Sequence, residues 1–147
     1  MDSNLKVLKQ LIEKSMKFCE RMGLKVLEIE PHRIKLSAPI KGNENHINTM
    51  YAGAIFTIAE IPGGALVYSA FDGAKFFPIL KDMYIKFTKT AKTDITVEAS
   101  LNEEEVKRLE KEAEKNGKAN FYVECEVKDA KGEIVAISKG LYQIRKM

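Results

Sequence analysis

Along the first 22 residues, apolar side chains recur at Leu5, Leu8, Leu11, Ile12, Met16 and Cys19, the spacing that turns one face of a helix inward. Gly23 follows as a stop, so a helix is predicted over residues 1–22. From Lys25 the period shortens. "KVLEIEPHRIKLSAP" alternates apolar and polar positions on both sides of Pro31 and His32, which predicts two short strands in a hairpin. Residues 40–49, rich in Gly, Asn and His, read as a loop. Then alternation stops. The run from Met50 to Phe71 is too long for a strand and has no polar face, so it predicts a buried helix that Pro62, Gly63 and Gly64 bend or weaken.

After Asp72 and Gly73 period two returns. "FFPILKDMYIKFTKT" sets Met83, Ile85 and Phe87 on one side of a strand and Tyr84, Lys86 and Thr88 on the other, and "DITVEASL" makes a second. "NEEEVKRLEKEAEKNGK" predicts a charged helix capped by Asn102, with a narrow stripe of Val106, Leu109 and Ala113 and a Glu103–Lys107 pair. It reads as a solvated helical insertion over residues 102–117. Two long strands joined by "DAKGE" close the chain. One very apolar helix followed by consecutively connected strands predicts an α+β fold, an antiparallel sheet wrapped around one long central helix, in a single domain over residues 1–147.

Composition narrows the class. With 45% hydrophobic and 31% charged residues the chain falls among soluble globular proteins, and no run is expected to reach the length of a membrane span. The opening "MDSNLKVLKQ" lacks the basic-then-apolar order of a secretion signal, so a cytoplasmic location is expected. Cys19 and Cys125 stand far apart and read as reduced, partly buried thiols; with two histidines they suggest neither a metal nor a resident cofactor. A net charge of +3, from 24 basic and 21 acidic residues mixed along the chain, argues against nucleic acid yet tolerates an anionic ligand.

One residue does not fit the plain account. Between Tyr51 and Phe71 the only carboxylate is Glu60, and a buried carboxylate is costly unless paired or protonated. Around it, Asn45 stands six residues before Tyr51, Tyr51 is followed by Ala52 and Gly53, and Glu60 stands nine residues after Tyr51. This pattern in "NTMYAGAIFTIAE" resembles the hotdog-fold thioesterases, in particular their PaaI-like and YiiD C-terminal-like (DUF4442-type) branches, over residues 23–147. Tyr51 occupies the place of the family's His, and Asn48 a place where Gly is frequent. The hydroxyl that some relatives carry on the strand after the helix has no counterpart near "ILKD".

The resemblance implies a hotdog fold and an acyl-CoA thioesterase acting as a homodimer or homotetramer, with coenzyme A present only as part of the substrate. It implies Glu60 as general base or nucleophile, the Ala52 N–H as oxyanion donor, Asn45 as the group orienting water or thioester, and Tyr51, Gly53, Asn48 and Thr49 in contact with substrate. Eight residues at about 1.5 Å each separate Ala52 from Glu60 by about 12 Å along a helix, so the helix start of one subunit would have to meet the acid of its partner. The same residues admit plainer roles: a local pairing for Glu60, a turn for Asn45, core packing for Tyr51, an exposed loop position for His46 and a turn for His32. A non-catalytic acyl-CoA or lipid-binding module, or more distantly a dehydratase, fits the pattern as well.

Overall fold

The computed structural model describes residues 3–147. Two helices, α1 (Ser3–Lys14) and α2 (Lys17–Met22), stand where one was expected: the helix breaks at Ser15 and Met16 before Gly23 ends the segment in a left-handed conformation (φ 82°). The break lets α1 lie against β1 (Lys25–Glu30) while α2 runs into it. Glu13 ties α1 down; its carboxylate is buried and accepts the Val26 N–H at 2.7 Å. The hairpin of β1 and β2 (Arg33–Ala38) forms as predicted, pinned outside by Arg33, which donates to Glu28 at 2.5 Å and to Glu98 at 2.6 Å.

The apolar run is one helix, α3 (Ala52–Ala70), continuous through Pro62. By length and composition it is apolar enough to cross a membrane, contrary to the sequence expectation, but here a sheet wraps it and more than half of it is buried. That sheet adds β3 (Phe76–Phe87), β4 (Ile95–Ser100), β5 (Lys118–Lys128) and β6 (Ile134–Lys146), in the order β1-β2-β4-β5-β6-β3, with every pairing antiparallel. The core fills the space between α3 and the inner face, where Ile34, Leu36, Ile58, Leu66, Ile95 and Ile144 are fully buried.

The insertion α4 (Glu103–Asn116) is capped as predicted, with Asn102 Oδ1 accepting the Glu105 N–H at 2.8 Å. Its stripe of Val106, Leu109 and Ala113 is buried against β5 and β6, so it is a packed element and not a solvated excursion. Its ion pairs run from Arg108 to Glu105 and Glu112, a turn away on either side. Where α4 leaves the sheet, β4 and β5 keep only the Thr96–Lys128 pairing. At the far edge β3 carries Pro78, and its pairing with β6 is irregular between Leu80 and Asp82, both features that edge strands admit.

Candidate active site

The loop before α3 is organised by Asn45. Its Oδ1 accepts the backbone N–H groups of Ile47 and Thr49, each at 3.0 Å, and its Nδ2 donates to Thr49 Oγ1 at 2.9 Å. Thr49 is buried. Asn48 sits at the tip with φ 63°, the one non-glycine in the left-handed region among the described residues, which explains why Asn serves where a glycine also fits. Two further ties, from Met50 N–H to the Ala91 carbonyl and from Tyr51 N–H to the Asn43 carbonyl, fix the angle at which the chain enters α3.

Tyr51 is the N-cap residue, extended (φ −62°, ψ 136°) and without a side-chain cap. The core-packing expectation fails: its side chain is 59% exposed. The ring lies back over Gly53, so close that a Cβ on Gly53 would come within 2.4 Å of Tyr51 Cε2. Tyr51's carbonyl takes the N–H groups of Ala54 and Ile55. The N–H groups of Ala52 and Gly53 have no acceptor among the described residues, which leaves two donors at the positive end of the helix dipole beside small side chains. His46 is exposed in the loop and His32 is part of the β1–β2 turn.

Glu60 lies two turns on and is half-buried. Burial raises its carboxyl above the ordinary 4.5, because removing water penalises the charged form. The backbone around it is held by Tyr142 on β6, whose Oη donates to the Glu60 carbonyl at 2.7 Å, two residues before the proline that removes a helix N–H. Gly63 and Gly140 make room for this ring: a Cβ on Gly63 would come within 2.0 Å of Tyr142 Cζ, and one on Gly140 within 2.5 Å of Cε2. The Tyr142 hydroxyl is itself raised in pKa by burial and by the Glu60 charge, so it stays a donor. Cys19, on α2, is raised by burial and then by Glu60, which makes the thiol inert.

The Glu60 side chain faces a cavity of about 480 Å³ between α1, α3 and β3. Neither Tyr142 nor the cavity was singled out in the sequence. The Tyr142 signal was available as a pair of glycines with no turn to explain them, Gly63 in a helix and Gly140 in a strand.

A family model described as a domain of unknown function, DUF4442, matches residues 5–142. Among solved structures, a probable thioesterase from Pseudomonas aeruginosa, also described as of unknown function, is 46% identical and superposes with a TM-score of 0.92, over 97% of this chain and 96% of that chain. A Chlorobaculum tepidum protein of unknown function is 20% identical with a TM-score of 0.85, over 97% and 94%. A thioesterase from Haemophilus influenzae, 11% identical with a TM-score of 0.76 over 99% and 93%, shares the fold. No curated protein matches the chain. The α+β architecture is the hotdog fold that the resemblance implied.

Proposed function

The chain belongs to the DUF4442 family, carries the hotdog fold of thioesterases, and from that premise we propose that it hydrolyses acyl-CoA or a similar thioester at a site shared between two subunits. The observation that carries this reading is Glu60: the one carboxylate on α3, raised in pKa by burial and facing an apolar cavity in a helix otherwise given over to core. Ionised Glu60 takes a proton from water as the water oxygen bonds to the thioester carbonyl carbon. The carbonyl oxygen becomes negative and is met by the Ala52 and Gly53 N–H groups of the partner's α3. Collapse breaks the C–S bond, and the thiolate leaves with the proton Glu60 had taken, giving free acid and thiol. Attack by Glu60 itself through an anhydride is the alternative use of the same carboxylate.

Asn45 has a positioning role here, holding the loop that aims the helix start, with one Nδ2 proton left to reach a substrate oxygen or water. The Tyr51 ring, with Gly53, Asn48 and Thr49, frames the entry for the thioester. The two-subunit geometry follows from the helical rise, about 12 Å between donors and acid on one chain, and β3 offers the contact. It is an edge strand whose inward Met83 and Ile85 are only half-buried and whose Phe87 is exposed, the pattern expected where a second copy completes the packing. A cytoplasmic setting belongs to the same proposal and keeps the buried thiols Cys19 and Cys125 reduced.

Tyr51 in place of an imidazole supports a second reading, an acyl-CoA-binding module without turnover. Hydrolysis of short, long and aromatic acyl-CoAs, followed with a thiol-trapping dye, separates the two. The enzyme reading expects turnover that Glu60→Gln lowers by about 10²–10⁴-fold, the range for loss of a general base. Binding of acyl-CoA in calorimetry with no turnover on any member would contradict it and leave the module.

A further inference from the structure

Resting on the thioesterase reading, we propose that the cavity beside Glu60 receives the acyl chain, that α1 forms its outer wall, and that Gly64 sets how long a chain it accepts. From α3 the walls come from Glu60, Ile61, Gly64, Ala65 and Tyr68, one face at helical spacing. The facing wall is a stripe of α1, Leu8, Leu11 and Ile12, ending at the break with Ser15 and Met16, and the floor is Pro78 and Leu80 of β3. Only Glu60 among these residues is charged, so the cavity is an apolar slot with a carboxylate at one end. That is the chemistry of a linear hydrocarbon attached to a reacting carbonyl, and about 480 Å³ falls within the size of small-molecule sites, roughly 300–1,000 Å³.

From Glu60 to Tyr68 the slot follows two turns of α3, about 12 Å, which an extended chain on the order of ten carbons spans. The outlet is apolar too: Leu11, Met16 and Tyr68 remain exposed around it.

Gly64 supplies an independent argument. A glycine inside a helix weakens it relative to alanine, and Gly63 is excused because Tyr142 would collide with any Cβ. Gly64 has no such excuse: a Cβ there would meet Pro78 at 3.6 and 3.9 Å, ordinary contact, and no positive φ demands glycine. What a side chain at 64 would fill is the slot.

The test measures kcat/KM for acyl-CoAs of increasing chain length with the wild type, Gly64→Ala and Gly64→Leu. In parallel it measures binding of a dansylated undecanoic acid by fluorescence, and thermal melts. Gly64→Ala is expected to melt at or above wild type. Gly64→Leu is expected to lower the ratio of long-chain to short-chain kcat/KM at least about 10-fold, the scale of discrimination that single methylene misfits give in apolar pockets, and to weaken the fatty-acid probe in step. A profile that scales uniformly, or is unchanged, with probe binding intact, overturns the slot and leaves the thioesterase reading standing. Probe binding blocked by Gly64→Leu in a protein that hydrolyses no thioester keeps the slot and removes the thioesterase reading.

Discussion

At the residue scale the account turns on Glu60 and the ring that holds its backbone. With its pKa raised in the folded state, Glu60 binds a proton more tightly there than in the unfolded chain. The native state is therefore penalised above the folded pKa, and the penalty fades as pH falls toward 4.5. Glu60→Gln should accordingly melt higher than wild type at neutral pH, with the gap closing in acid; a gap that is absent or grows in acid contradicts the assigned burial. Gly63→Ala drives a methyl into the Tyr142 ring and should destabilise by about 1–3 kcal/mol in denaturant melts, whereas Gly64→Ala should not. The sequence showed Glu60 as an anomaly because one charge stands out in an uncharged run. The local turn read for Asn45 is what its Oδ1 makes with the Ile47 and Thr49 N–H groups; Tyr51 left outside the core was not shown, because that depends on where the chain enters α3 and not on local pattern.

At the element scale the proposed mechanism places both halves of its chemistry on α3, and the first turn of that helix allows a selective test. Ala52 is the first helical residue, where proline is favoured, and Tyr51 already has the extended backbone that must precede one. Ala52→Pro should therefore fold, keep a wild-type melt within about 1 kcal/mol, and lose one oxyanion donor. A loss of about 10²–10³ in kcat with KM little changed is the expected signature, and unchanged kcat would remove the Ala52 N–H from the mechanism. Helices and strands were largely legible, since periods of 3.6 and 2 survive in the sequence. The break at Ser15 and Met16 was not, because the apolar stripe of the N-terminal segment runs through it; docking of α1 by Glu13 on the Val26 N–H is a tertiary contact with no sequence signature.

At the scale of the whole molecule, the proposal of two chains sharing two sites rests on the free β3 edge and on the distance along α3 between the Ala52 N–H and Glu60. The hotdog order was readable because a single all-apolar helix followed by consecutive strands leaves few other ways to bury that helix, and the family pattern around Tyr51 and Glu60 agreed. The slot under α1 was not readable, since it is made by residues up to 134 positions apart, Leu8 and Tyr142. In solution the protein should run as a dimer or a pair of dimers by light scattering. The most direct test of the shared site is subunit mixing: Ala52→Pro and Glu60→Gln chains carrying different tags are co-expressed, and thioester hydrolysis is compared with each variant alone. If donors and acid come from different chains, half of randomly assorted dimers are mixed and each holds one intact site, so activity should return to about a quarter of wild type. If mixing restores nothing while wild-type protein turns over, each chain holds its own complete site and the shared-site account is wrong.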